Sequence, residues 1–453
     1  MESESNHLAR TVTLWPLILF GVAYICPFIV LITFGTFSEA ANGTLPTAYV
    51  FSTIAMIFTA LSYGKLAALY PVSGSAYTYA RKAIDSRVGF MVGWAILLDY
   101  FFLPMVVWLI GVSYLTDQFP SVPKALWLLG FIILTTALNI LGIKLATRAN
   151  IVLIAFQMLI LVLFIIFALH DVVDRNGAGG IFSGHPFWNH ASTLGVVSGG
   201  AALTAYSFIG FDAVSTFSEE VVNPRKTVPR AIVLTAIVAG SIFVVVAYVA
   251  QLVHPGGHFA SPDSAPLDIA KHIAGDFFGA VFLATVIIAQ FTAGIPIQAA
   301  GARLMYAMGR DDVLPKKAFG FLHPRFHTPV VNLVLTGIVG LIALRLSVST
   351  STSFINFGAF TAFAFVNISV VAQYVRDRRT QRRNPVTWVV VPIIGLAVII
   401  WLMTHLDWKA LALGCTWAVI GLCWLTWMTR GFRIAPPEME LTESADDEAE
   451  YAT

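Results

Sequence analysis

The chain has 453 residues, of which 57% are hydrophobic and only 11% are charged, and its mean hydropathy is +0.79. This composition excludes a set of water-soluble domains, because such domains carry about 25% charged residues. The net charge of +2 gives no sign of a nucleic-acid partner. The sequence therefore predicts one membrane domain surrounded by the lipid bilayer.

Long apolar stretches, separated by short polar breaks, run through most of the chain. A helix needs roughly 20 mostly apolar residues to cross a bilayer. By this criterion the sequence predicts an all-α polytopic protein. Its twelve transmembrane helices lie at residues 14–40, 47–70, 89–115, 124–143, 149–170, 194–220, 231–253, 275–305, 330–348, 353–375, 387–404 and 408–429.

Basic residues lie mainly on one side of these predicted helices. With both termini in the cytoplasm, 22 of the 27 Lys and Arg residues fall at inner ends and loops. Because Lys and Arg accumulate in cytoplasmic loops, the asymmetry predicts a multi-pass protein of the inner (cytoplasmic) membrane in this orientation. Residues 1–13 form a cytoplasmic segment without a signal-peptide cleavage site, and residues 430–453 form an acidic cytoplasmic tail.

The first and sixth predicted helices contain interruptions, at residues 21–27 and 207–211, where glycine or proline weakens a continuous helix. Interrupted helices at the first position of two five-helix halves indicate an inverted-repeat transporter. The halves would cover residues 14–170 and 194–375, with two additional helices at 387–429. Single glycines also permit close helix packing, but their paired placement, six helices apart, favours transport.

Three groups of residues carry a family resemblance. They are PVSGSAYTY at 71–79 with VGFMVGW at 88–94 and LDY at 98–100; SFIGFD at 207–212 with SEEVVNPR at 218–225 and VPRA at 228–231; and MGRD at 308–311 with HP at 323–324 and TP at 328–329. Together they resemble the signature of the amino acid/polyamine/organocation permease superfamily. The resemblance implies a leucine-transporter-like five-plus-five inverted repeat and substrate transport by alternating access.

Within this superfamily the chain is most similar to the bacterial putrescine importers, over nearly its whole length. Residues 54–66, 89–105, 208–220 and 355–367 are the most similar blocks. The similarity implies uptake of putrescine or a related polyamine. One position departs from the importer pattern, because Ile32 stands where the importers carry an acidic residue, which removes one possible partner of a diamine.

Two adjacent residues in the third predicted helix are the leading candidates for substrate contact. Asp99 lies midway along this helix, where a charge is costly unless it faces a cavity or a partner. It would hold an amine through a charge-assisted hydrogen bond, carry a proton, or pair with a neighbouring helix. Tyr100 corresponds to a pocket tyrosine of the putrescine importers, and its aromatic face suits an organic cation.

The two interruptions supply the other candidates for the pocket wall. One wall is expected from Gly21, Ala23 and Tyr24, and the opposite wall from Phe208, Gly210 and Phe211, where each phenylalanine serves either as a gate or in packing.

Three carboxylates follow the second interruption. Asp212 is expected to reach the substrate or relay a proton. Glu219 and Glu220 lie near a basic loop and are expected to take part in proton coupling or in structural ion pairs with Arg225 and neighbouring basic residues.

The coupling ion and the protein class are judged by what the sequence lacks. No lysine occurs at residues 149–170, where some proton-coupled relatives keep one, and hydroxyl candidates for a sodium site are weak. These two observations leave the choice between proton and sodium open, and a proton is the expected coupling ion. The sequence contains no enzyme motif and no convincing metal-ligand set, so no enzyme activity, cofactor or metal is expected. An amino acid permease and a transporter-derived sensor are the alternatives, and the oligomeric state is not predicted.

Overall fold

The computed structural model describes residues 12–70, 76–142 and 147–437, and every regular element in these ranges is helical. Most of the N-terminal segment, the PVSGS part of the first motif and most of the acidic tail lie outside the described residues. The α-helices are α1 (Leu14–Ile25), α2 (Ile29–Ile32), α3 (Phe34–Ala40), α4 (Leu45–Leu69), α5 (Ala76–Ala83), α6 (Ser86–Gln118), α7 (Lys124–Ile140), α8 (Thr147–Asn176), α9 (Leu194–Thr204), α10 (Pro224–Val253), α11 (Ala265–Arg310), α12 (Lys316–Phe319), α13 (Val330–Gly340), α14 (Val348–Asp377), α15 (Val391–Met403) and α16 (Trp408–Met428). Four 3₁₀ segments, Ala178–Phe182, Ala205–Phe208, Phe211–Glu219 and Leu341–Arg345, and one π-helical turn, Val386–Val390, complete the described elements.

Ten helical segments in the described ranges are long and apolar enough to cross a membrane. Two shorter apolar helices, Lys124–Ile140 and Val330–Arg345, lie where two further spans are predicted. The first of these has 17 residues and is about 25 Å long, somewhat less than a hydrocarbon core of about 30 Å. The prediction of an all-helical membrane protein is confirmed.

Burial separates the helices at the centre of the bundle from those facing lipid. In α6, α14 and the segment Leu194–Ser215, 72% of the most apolar part is buried, against 22% in Val386–Met403 and 17% in α16. The third, sixth and tenth predicted helices therefore form the centre, and the last two helices are peripheral.

The first predicted helix is interrupted later than its sequence suggests. Residues Gly21 to Tyr24 remain within α1, and the chain leaves the helix at Cys26, which has the left-handed φ of 54°. The physical reason is Pro27, because a proline disfavours helical geometry in the residue before it, whereas a glycine inside a helix costs only about 1 kcal/mol. The expectation that Gly21 and Ala23 belong to unwound chain is therefore wrong.

The sixth predicted helix is interrupted where the sequence predicts. Helix α9 ends at Thr204 and continues as the 3₁₀ segment Ala205–Phe208. The chain then turns at Ile209 and at Gly210, whose φ is +104°, before the second 3₁₀ segment. Because this φ is open mainly to glycine, Gly210 is required by the backbone of the turn.

Side chains from other helices bond the carbonyl groups near these interruptions. A change from α to 3₁₀ bonding leaves one carbonyl without its usual donor. Near this change the Asn356 side-chain amide donates to the carbonyl of Ala202 at 2.7 Å. At the end of α2, the Tyr114 hydroxyl donates to the carbonyl of Ile32 at 2.7 Å. The broken segments are thus bonded internally, as hydrocarbon requires.

A buried amide network joins α7, α11 and α13. The Gln298 side chain donates to the Thr136 hydroxyl at 2.8 Å and to the Leu333 carbonyl at 3.1 Å. Asn139 donates to the carbonyl of Ile295, beside the helix-interior Pro296. These bonds tie the two shorter helices to the long α11.

Two glycines, one closely packed and one open, allow the packing of the long helices to be tested. Gly240 of α10 faces α4 so closely that an added Cβ would overlap the Thr53 side chain, whereas a Cβ at Gly130 of α7 would meet nothing. We expect Gly240→Ala to lower stability by about 1–3 kcal/mol through overpacking, although alanine is the better helix former. Thermal unfolding in detergent measures this, with Gly130→Ala as the control. Equal unfolding temperatures for the two variants would contradict the contact.

Candidate functional site

The two interruptions lie against each other. A Cβ added at Gly210 would be 2.6 Å from the Tyr24 ring, so this ring covers the turn in the sixth predicted helix. Gly21 packs equally closely against Val214 and against Thr235 of α10. Tyr24 therefore contacts the second break, whereas Gly21 provides close packing and the Ala23 carbonyl accepts the Cys26 N–H at 3.2 Å. A contact of Tyr24 with substrate stays a prediction.

Buried polar side chains position both breaks. The Cys26 thiol donates to the Gln157 side-chain oxygen of α8 at 3.2 Å. Beside the second break, the hydroxyls of Tyr49 and Ser207 lie 2.9 Å apart in a fully enclosed contact. Neither Gln157 nor Tyr49 was a predicted site residue.

Asp99 lies in the middle of α6, at the centre of the bundle. Its backbone packs on Gly358 of α14, where an added Cβ would be 3.4 Å from the Asp99 nitrogen. Its Oδ1 atom is buried and has no hydrogen-bond partner in the described part of the chain. A buried carboxyl oxygen without a donor is costly, and this indicates a place where a ligand or a proton is bound.

Asp212 lies just after the second break and is held by α4. The Tyr63 hydroxyl donates to its Oδ2 at 3.2 Å. The Tyr63 ring is fully buried and meets Tyr79 and Phe363 edge-on, with ring centroids 6.0 and 6.1 Å away. This packing fixes the hydroxyl that orients the Asp212 carboxyl group.

The structure brings the two carboxyl groups into one electrostatic environment. The charge of Asp212 acts on Asp99, and Tyr206 lies within range of the Asp99 charge. Tyr100 lies within range of Tyr63, which contacts Asp212. Among the described residues, neither carboxyl group forms an ion pair with Lys or Arg.

The two predicted phenylalanines pack in the core. Phe208 is fully buried against Phe243, with ring centroids 4.9 Å apart. Phe211 is fully buried and lies 5.7 Å from Tyr63 and 5.3 Å from Phe363. Of the two readings of the sequence, gate or packing, this geometry favours packing, and Phe211 acts on the site through Tyr63.

Glu219 and Glu220 follow Asp212 by seven and eight residues in the sequence. The Glu220 carbonyl accepts the Val12 N–H at 3.1 Å. No ion pair links Glu220 with Arg225, Lys226 or Arg230, all of which the structure describes. The Glu219 side chain lies outside the described residues, so the role predicted for this pair stays a prediction.

Polar contacts join α3 to α10 and to the loop that follows α10. The Thr36 hydroxyl donates to Asp263 at 2.7 Å, and the Ser38 hydroxyl donates to the buried Gln251 at 2.7 Å. The loop after α10 is held by the Gln251 side chain, which donates to the His254 and Gly256 carbonyls. Backbone at Gly35 contacts the Pro262 carbonyl too closely for a side chain.

Sequence reasoning missed Tyr63 and Tyr206 because neither is an acidic residue and neither lies within the two interruptions on which the site prediction rested. Tyrosines in membrane helices commonly serve in packing or as interfacial anchors. Only the packing of α4 and the second break beside α6 reveals that these two rings face the carboxyl groups. For Gln157 a signal was available, because an amide is conspicuous in the apolar part of the fifth span.

The fold and this arrangement define a class of protein: a helical membrane carrier with broken helices around a buried polar site. An amino acid permease family model matches residues 11–426, and the chain belongs to this family. It is 38% identical to the low-affinity putrescine importer PlaP of Escherichia coli, over 96% of both chains.

Two further relatives are named for other substrates. The methylthioribose transporter of Bacillus subtilis is 29% identical, over 95% of this chain and 93% of its own. The branched-chain amino acid permease BcaP of the same organism is 28% identical, over 93% of both. These proteins are transporters and not enzymes, so the predicted superfamily and protein class are confirmed, and the chain is a multi-pass protein of the bacterial inner membrane.

The contact between the breaks can be tested at Gly210. We expect Gly210→Ala to lower the unfolding temperature and abolish transport, because alanine meets both a positive φ and the Tyr24 ring. Gly256→Ala is the matched control, since Gly256 has a similar φ of +94° and open space around it. Adding Tyr24→Ala should partly restore the stability of Gly210→Ala. Equal unfolding temperatures for Gly210→Ala and Gly256→Ala would contradict a destabilising contact between residue 210 and the Tyr24 ring.

Proposed function

We propose that the protein imports putrescine or a closely related small diamine by alternating access. One observation carries this proposal: Asp99 has an enclosed carboxyl oxygen without a donor, and among the described residues neither Asp99 nor Asp212 pairs with Lys or Arg. Buried carboxylates need a counter-charge or a proton. The name of the 38% identical relative PlaP points to the same substrate.

The number of carboxyl groups separates a diamine from an amino acid. An amino acid has one ammonium and one carboxylate group, and a second acidic side chain beside its carboxylate would repel it. A diamine has two ammonium groups, and each would find one carboxylate. The missing acidic residue at Ile32 does not weaken this proposal, because the Ile32 side chain is buried in the core and Asp212 supplies a second carboxyl group.

The proposed aromatic contacts agree with an organic cation. Tyr100 and Tyr206 are the rings whose faces would attract ammonium groups, and Tyr63 would act through its hydroxyl, which bonds Asp212. Tyr24 would cover the pocket from the side of the two breaks. The carbon chain of a diamine would lie against these rings.

We further propose that twelve helices, arranged as two five-helix repeats with two additional helices, provide the framework for alternating access. The breaks at Cys26 and Gly210 support such repeats, since each falls in the first helix of its half. The distribution of Lys and Arg supports cytoplasmic termini. The bonds of Thr36 and Ser38 would then close the outer side and would break when the site opens outward.

We also propose that a proton drives uptake. Asp99 has an enclosed carboxyl oxygen without a hydrogen-bond donor among the described residues, and a bound proton would satisfy it. Asp99 and Asp212 are the groups that would exchange protons as substrate arrives and leaves.

Substitution of either aspartate tests the substrate assignment. In proteoliposomes, Asp99→Asn and Asp212→Asn should each raise the KM for labelled putrescine at least about tenfold, because each removes a charge-assisted hydrogen bond. Unlabelled cadaverine should compete with the wild type far better than butylamine, which has one amine. Asp276→Asn serves as the control, because Asp276 is exposed and lies in the first third of α11.

Three results would contradict the proposal. Unchanged KM values in both aspartate variants would place the pocket elsewhere. Efficient competition by leucine or isoleucine, with no effect of diamines, would favour the branched-chain amino acid permease function of the relative BcaP. Binding without flux, and without acceleration by substrate preloaded on the far side, would indicate a sensor.

The coupling ion can be tested separately. Collapse of the proton gradient by a protonophore should stop accumulation of putrescine above its external concentration, while replacement of sodium by choline should leave accumulation unchanged. The reverse pattern would overturn proton coupling and leave the substrate assignment intact.

A further inference from the structure

Two cations share one tryptophan ring at the Lys- and Arg-rich end of the bundle. Arg383 lies over the Trp388 ring at 4.0 Å from its centroid, and the Lys65 Nζ lies 5.7 Å from the same centroid. Lys65 comes from the last turns of α4 and also donates to the carbonyl of Thr387. Trp388 belongs to the π-helical turn Val386–Val390, which leads into α15.

Positive charge at this place exceeds negative charge. Asp377 pairs with Arg383 at 2.7 Å and lies 4.0 Å from Arg376. Lys65 forms no ion pair with any described carboxylate. Three exposed arginines, Arg378, Arg379 and Arg382, lie in the same connection between α14 and α15. A counter-charge from outside the described protein would stabilise this cluster.

Arg383 is an unusual member of this cluster because its side chain is only 8% exposed. Its Nη1 atom is enclosed and has no acceptor among the described residues. Enclosed polar groups normally have a hydrogen-bond partner. The protein therefore holds a guanidinium group in place here and leaves one of its donors for an oxygen that the described residues do not supply.

An apolar helix surface continues from these cations toward the middle of the bilayer. Val386, Val390, Ile393 and Ile394 are 56%, 47%, 49% and 40% exposed, and they lie at helical spacing along the π turn and α15. Such a surface faces lipid chains in a membrane protein. Charged groups thus stand directly above a lipid-facing stripe.

We propose that Lys65 and Arg383, which both lie over the Trp388 ring, bind the phosphate group of an anionic phospholipid together with Arg382. The lipid chains lie along the stripe from Val386 to Ile394. A phosphate oxygen accepts charge-assisted hydrogen bonds from ammonium and guanidinium groups. Basic pockets between helices on the inner side of membrane proteins bind anionic headgroups in this way. The adjacent apolar stripe selects a lipid over a free anion. The site is separate from the proposed transport pocket and does not depend on it.

Native mass spectrometry of the full-length protein in detergent tests this site. We expect dioleoylphosphatidylglycerol to bind more tightly than dioleoylphosphatidylcholine. Lys65→Gln should weaken phosphatidylglycerol binding about fivefold, from about 1 kcal/mol per basic residue near the membrane surface. Lys65→Arg should retain binding, and Lys409→Gln, an exposed lysine beyond the other end of α15, should not change it. Equal unfolding temperatures of the variants exclude a folding defect as the cause.

Several outcomes would overturn the proposal. Phosphatidylglycerol and phosphatidylcholine binding equally to the wild type, or equal affinity in Lys65→Gln, would remove the headgroup contact. Displacement of the lipid by millimolar inorganic phosphate would show that a free anion is the ligand. The acidic tail, residues 438–453, is the alternative occupant. If removal of this tail raises the affinity for lipid, and does so only in proteins that keep Lys65, the tail occupies the site instead.

Discussion

The structure depends on one constraint: backbone N–H and C=O groups in hydrocarbon must be bonded within the protein. A broken helix violates this rule unless other groups supply the missing bonds. In this protein such bonds come from neighbouring helices, since Asn356 donates to the carbonyl of Ala202 and Tyr114 donates to that of Ile32. The interrupted chain therefore departs from helical hydrogen bonding at the centre of the bundle, and side chains of neighbouring helices hold it in place.

The same breaks explain why carboxyl groups are tolerated at the centre. The turn at Gly210 places Asp212 at the start of a new helical segment, within reach of the Tyr63 hydroxyl. Asp99 faces this region from α6 with an enclosed oxygen that lacks a donor. Under the proposed function, a cationic substrate would supply both groups with the counter-charge that no described Lys or Arg supplies.

The two ends of the bundle differ in chemistry. At the end beyond α3, hydroxyl and amide side chains join helices to a loop, as in the contacts of Thr36 with Asp263 and Ser38 with Gln251. At the other end, Lys65 and Arg383 crowd one tryptophan with too few carboxylates. The first arrangement suits a closure that opens and forms again, and the second suits lasting contact with an anionic membrane surface.

The sequence by itself determined the all-helical membrane class, the family and the break at Gly210, because each rests on local signals: long apolar runs, a motif, and a glycine beside aromatic residues. Asp99 and Asp212 also stood out, since a charge in an apolar run is conspicuous. Only the tertiary structure decided that Gly21 packs inside α1, that Phe208 points into the core, and that Tyr63 orients Asp212. The direction of a side chain in a uniformly apolar helix depends on which neighbours it meets, and that information lies far away in the chain.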